Sequence, residues 1–158
     1  MAVQLNPKAT VATFSLSSDG TGVAQTVNVG GSSHSFKVDA APVFGGHDDA
    51  PSPIAYALGA LISCSQVTAQ IAAKALGLQV ERFHFDISAD LDTAVLVGGA
   101  AEGNANFERV IVDARLTTNA SDAEVHALQA ETERRCPIYQ LYARSGVDVT
   151  TTWTRESP

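Results

Sequence analysis

Apolar and polar positions alternate, then cluster, then alternate again along this chain. The first forty-five residues hold the short β-type stretches "TVATFSLSS", "GVAQTVNV" and "HSFKVD". Asp19-Gly20 and Gly30-Gly31 separate them as hairpin punctuation, so an N-terminal antiparallel meander is expected. "APVFGGHDDAPSP" follows as a loop dense in Gly, Pro and Asp. Ser52-Pro53 then reads as an N-cap with proline at the first helical position, and Gly77 as the helix stop. The helix between them runs about 23 residues, roughly 35 Å. Ile54, Tyr56, Leu58, Leu61, Ile62, Val67 and Ile71, with alanines between, leave almost no polar face in its first half. A helix apolar all round must be enclosed by its own fold or by a partner chain.

"VERFHFDIS" alternates, with Phe83, Phe85 and Ile87 on one face and Arg82, His84 and Asp86 on the other. "FERVIVDARLTT" repeats the pattern, with Val110, Val112, Ala114 and Leu116 facing in. Both read as half-buried antiparallel strands. "TAVLVGGAAEGNAN" between them is a long connection of small residues, expected to be mobile at its tip. Ser121 with Glu124 forms a capping box that opens a helix to about Arg135. Cys136-Pro137 opens another, ending near Gly146, and "VDVTTTW" is a final strand. The order β-β-β, long α, β-β, α-α, β is α+β, with strands in runs rather than in βαβ alternation.

Composition narrows the function classes. At 158 residues, 45% hydrophobic and 17% charged, the chain reads as one globular domain, 1–158, with a real core. Its formal charge is −7, and its longest basic run is Arg134-Arg135. Phosphate surfaces need clustered Lys and Arg, so neither nucleic acid nor anionic membrane is an expected partner. The first residues lack a charged start followed by an apolar core, which argues against a secretory leader. Gln66, Thr68, Gln70 and Lys74 interrupt the apolar run at 54–65 short of a membrane-spanning length. A cytoplasmic setting is therefore expected, where two cysteines are normally kept reduced.

Those cysteines are the candidate chemistry. Cys136 stands at a helix N-cap, where unpaired N–H groups favour an anion, directly after Arg134 and Arg135. Both influences lower a thiol pKa; the plainer reading is a residue that merely ends one helix and begins the next. Cys64 sits mid-helix among apolar side chains, where desolvation raises a thiol pKa and an inert core cysteine is the ordinary outcome. Yet Ser63, Ser65, Gln66 and Thr68 surround it, so the helix turns polar at the thiol, as it would beside a pocket. His47-Asp48-Asp49 offers metal-ligand types, but no other His or Cys lies at a recognised spacing, and a solvated loop is the reading. The glycine pairs lack the Lys or Ser of a phosphate loop, and no G-x-S-x-G elbow occurs. No cofactor or metal is expected.

"GGHDDAPSPIAYALGALISC", followed later by "CPIYQL" in this order of elements, resembles the OsmC/Ohr family, the osmotically inducible protein C and organic hydroperoxide resistance proteins. The resemblance covers nearly the whole chain. It implies an intertwined α+β homodimer with central helices packed between wrapped sheets. It also implies thiol peroxidation of organic hydroperoxides in oxidative-stress defence. Cys64 matches the attacking cysteine and Cys136 the resolving one, with a dithiol reductant reopening their disulfide. The family's activating arginine and glutamate have no counterpart: the first arginine is Arg82, and Ile54 and Ala55 occupy the start of the helix. The candidates for the stabilising charge are His47, Arg134 and Arg135. The alternative is a family member that binds a small apolar ligand instead of reducing peroxides.

Overall fold

The computed structural model describes residues 10–98 and 102–158. Residues 1–9, on which the expectation of no leader partly rests, and 99–101, the centre of the expected mobile connection, lie outside the described residues. Contacts divide the chain into two units, Met1–Tyr56 and Ala57–Pro158.

The first unit carries the antiparallel meander β1 (Leu16–Thr21), β2 (Ala24–Val29) and β3 (Ser35–Val38). Its first turn falls at Gly22-Val23, not at Asp19-Gly20. Asp19 and Gly20 are strand residues paired with Thr26 and Gln25. Gly22 has φ 64°, which suits the first central position of a two-residue hairpin turn. Gly20 serves a close approach instead: a Cβ there would stand 2.7 Å from the Gln25 Cβ. The second turn lies where the glycine pair puts it, with Gly31 at φ 74°. A 3-10 turn at Pro42–Phe44 interrupts the loop, which sequence did not foresee. Phe36 packs on Tyr56 with ring centroids 4.8 Å apart, and the Tyr56 hydroxyl donates to the Lys37 carbonyl at 2.6 Å.

Helix α1 (Pro53–Leu76) begins in the first unit and continues through the second. Ser52 caps its start by accepting the Ala55 N–H at 3.2 Å. Gly77, at φ 72°, ends it; the Leu78 N–H reaches back to the Ala73 carbonyl at 2.9 Å, and the Gly77 N–H to Lys74 at 3.3 Å. Those two bonds form the Schellman closure that a left-handed residue permits. By length and composition α1 passes as membrane-spanning, as core helices of soluble proteins also do.

The second unit continues with β4 (Val80–Leu91), α2 (Ala94–Gly98), β5 (Phe107–Thr118), α3 (Asp122–Arg135), α4 (Pro137–Arg144) and β6 (Asp148–Glu156). The short α2 lies in what the sequence reads only as a connection. β4 and β5 pair antiparallel, setting Phe83 opposite Leu116 and Phe85 opposite Ala114. β6 pairs parallel to β5, with Ala114 beside Trp153. The parallel pair follows from α3 and α4, which form the long crossover that brings the chain back to the same end of the sheet.

The four residues expected to face in from β5 do so: Val110, Val112, Ala114 and Leu116 are all buried. Ala69, Ala72 and Ala73 of α1 join Ala114, Leu116, Val125, Leu128 and Trp153 in one cluster, where small helical residues let backbone and sheet approach closely. Nearer the helix start, Leu61 packs with Val110, Val112 and Val147. α1 is not wholly covered by its own chain, since Val67 is 62% and Ile71 52% exposed.

Candidate thiol site

Cys64 lies in the middle of α1 and is half-buried; Cys136, between α3 and α4, is fully buried. Cys136 serves both helices. Its N–H donates to the Thr132 carbonyl at 2.8 Å, closing α3, and its sulfur accepts the Tyr139 N–H at 3.4 Å, capping α4. Pro137 at the first helical position leaves one fewer N–H to satisfy there.

The tertiary fold brings the two thiols close enough for Cys136 to act on the Cys64 thiol, and both are free. Burial, foremost, and the neighbouring Cys136 thiol push the Cys64 thiol up from its ordinary value. The Ile138 N–H at the start of α4 and the Thr68 hydroxyl one turn along α1 pull the other way. Desolvation wins, so the neutral thiol is the favoured form. Around the pair, Leu61, Ile62, Ile138, Tyr139 and Tyr142 belong to one apolar cluster. Burial raises the pKa of both tyrosines, and Glu133 adds to the effect at Tyr139, so they stay neutral.

Two of the basic residues expected as thiolate partners, Arg134 and Arg135, are engaged by a carboxylate. Arg134 forks onto Glu131 through Nε at 2.9 Å and Nη2 at 2.7 Å, and Arg135 reaches the same carboxylate at 3.5 Å. Arg134, first of the two, holds the Glu131 carboxyl below its usual range. His47 belongs to the first unit, where its backbone N–H donates to Asp39 Oδ2 at 3.0 Å.

The sequence placed Thr68 only among the polar residues around Cys64 and gave no sign of the Ile138 N–H. Thr68 had a signal, because a residue four positions after Cys64 shares its helix face. The Ile138 N–H had none, since which helix start meets Cys64 is a matter of packing. Beside α1, an open cavity of about 290 Å³ is lined by Gly59, Ile62, Ser63, Gln66, Phe83, His84 and Phe85. Chemically, the site is a dithiol that can close to a disulfide, and the groove along the same helix mixes apolar side chains with Ser63, Gln66 and His84.

The OsmC-like protein family profile matches residues 46–152, which include both cysteines. No curated protein matches the chain. An OsmC-like protein from Mycoplasma pneumoniae superposes with a TM-score of 0.76 at 16% identity, over 91% of this chain and 97% of that one. An organic hydroperoxide resistance protein from Elizabethkingia anophelis gives 0.73 at 17% identity, over 93% and 99%. A Legionella pneumophila protein described as an organic hydroperoxide resistance protein OsmC also gives 0.73 at 17%, over 92% and 99%. At these identities the likeness speaks for the fold.

Proposed function

The chain belongs to the OsmC-like protein family, and on that premise we propose that it is a thiol-dependent peroxidase acting on organic hydroperoxides in oxidative-stress defence. The observation that carries the reading is the closeness of the half-buried Cys64 to the fully buried Cys136. The difference in burial supports Cys64 as the attacking thiol and Cys136 as the resolving one. The Cys64 thiolate attacks the distal peroxide oxygen, the O–O bond breaks, and the alcohol leaves with a proton while the sulfur becomes a sulfenic acid. The Cys136 thiol then displaces hydroxide from that sulfur, forming the disulfide and releasing water. A dithiol reductant reopens it by exchange. The groove lined by Ile62, Phe83 and Phe85 suits the alkyl part of such a substrate.

We place the reaction in a cytoplasmic homodimer. Val67 and Ile71 are more than half exposed along α1, a burden that a second copy would relieve. The test is titration of the reduced protein with one equivalent of an alkyl hydroperoxide, followed by peptide mapping. Loss of both thiols with a Cys64–Cys136 link supports the reading; two free thiols overturn it.

A second reading, a binder of a small apolar ligand, is favoured by the raised thiol pKa of Cys64. Native mass spectrometry of protein purified from cells separates the two, because a co-purifying apolar compound is expected only of the binder.

A further inference from the structure

Asp39, at the end of the meander, is 3% exposed, and its Oδ2 accepts the backbone N–H groups of His47 at 3.0 Å and Asp49 at 3.1 Å. Its Oδ1 has no partner, the only such buried side-chain oxygen or nitrogen among the described residues. Residue 46 is glycine because the backbone passes close here: a Cβ would press on the Ala40 carbonyl and stand 2.7 Å from that oxygen. One donor atom each from Asp39, His47 and Asp49 lies within 4.8 Å of the other two. All three residues line one open cavity of about 340 Å³ in the first unit, together with Lys37 and Asp19. The Lys37 and Asp19 charges offset each other, leaving the two carboxylates of Asp39 and Asp49 to set the sign. The N–H groups of Asp49, Ala40 and His47, in that order, hold the Asp39 carboxyl below its usual range. An ionised buried oxygen without a donor is a costly arrangement for a structure to keep unless something positive meets it.

We propose that Asp39, His47 and Asp49 form a binding site for one divalent transition-metal ion. Two carboxylate oxygens and an imidazole nitrogen are a donor set for Zn²⁺ and its neighbours, whereas Ca²⁺ and Mg²⁺ take oxygen ligands alone. Three protein donors leave a fourth position for water, as in open zinc sites. Ligation requires the donors to draw in, and His47 and Asp49 are exposed side chains free to turn. The site spans the loop between β3 and α1, so metal binding ties that loop at both ends.

The test uses the full chain carrying Cys64→Ser and Cys136→Ser, which removes the thiols as competing zinc ligands. Isothermal titration with Zn²⁺ is expected to give one site per chain. His47→Gln and Asp49→Asn, both at exposed positions, should each weaken it at least tenfold. Asp39→Asn tests the same oxygen but loosens the loop, so the other two variants decide. Absence of saturable Zn²⁺ binding overturns the proposal, and so does binding that neither His47→Gln nor Asp49→Asn changes.

Discussion

The Cys64 thiol lies beside the Cys136 thiol, and of the two residues only Cys64 is partly exposed. Under the peroxidase reading this asymmetry separates the two single variants. Cys136→Ser keeps a side-chain cap for α4 and leaves any sulfenic acid on Cys64 without a resolving thiol. Peroxide followed by dimedone should therefore label Cys136→Ser at residue 64 and leave Cys64→Ser unlabelled. Label on Cys136 in the Cys64→Ser protein would reverse the assignment.

Reactivity should climb steeply with pH. The Cys64 thiol is pushed up from its ordinary value of 9.0, so the thiolate is a small fraction at neutrality. Below the pKa that fraction grows about tenfold per pH unit. Iodoacetamide labelling of residue 64 should follow this slope between about pH 7 and 9, whereas a plateau near neutrality would mean an unseen cation. The linkage has a definite sign: folding favours the neutral thiol, so its contribution to stability is present below 9.0 and declines as pH rises above it.

Thr68→Val replaces the hydroxyl that favours the Cys64 thiolate with a methyl of similar shape. Labelling of Cys64 at pH 8 is expected to slow several-fold, with global stability changed by about 1 kcal/mol or less. Arg134→Ala and Arg135→Ala serve as comparisons. Because Glu131 engages both guanidiniums, each should leave the labelling rate within about twofold, as expected of exposed ion pairs.

The exposed stripe on α1 makes an assembly prediction. Val67→Glu with Ile71→Glu places two charges where a second copy would pack, so light scattering should show a dimer for the parent and a monomer or aggregate for the variant. Equal masses for both would remove this face from the interface.

Leu61 is fully buried against Val110, Val112 and Val147. Leu61→Ala should cost about 2–5 kcal/mol in chemical denaturation. Because Leu61 lies one turn before Cys64 on the same helix, accelerated labelling of Cys64 should accompany the loss. A cost below about 1 kcal/mol would mean the site collapses onto the space.

Local chemistry was legible wherever it acts within a few residues. Ser52, Pro53 and Gly77 set the limits of α1, and Ser121 with Glu124 opens α3 as a capping box, with the Glu124 N–H donating to Ser121 Oγ at 3.3 Å. The inward set of β5 followed from its period of two. The first hairpin shows where local reading fails. Asp19-Gly20 has turn composition, yet pairing with β2 carries the strand to Thr21 and gives the turn to Gly22. Turn propensity is a small energy beside a full set of ladder hydrogen bonds.

By itself the sequence determined an α+β chain, a long apolar helix with a thiol at its centre, and a second thiol at a Cys-Pro helix start. Those features depend on periodicity and on caps that a few neighbouring residues complete. Only the tertiary structure decided that the two thiols lie close together, that the Ile138 N–H faces Cys64, that Glu131 engages Arg134 and Arg135, and that Asp39 comes to lie beside His47 and Asp49. Each of these joins groups through the packing of separate elements or the closure of a loop. Neighbours of that kind are chosen by the whole core, and no short stretch of sequence carries them.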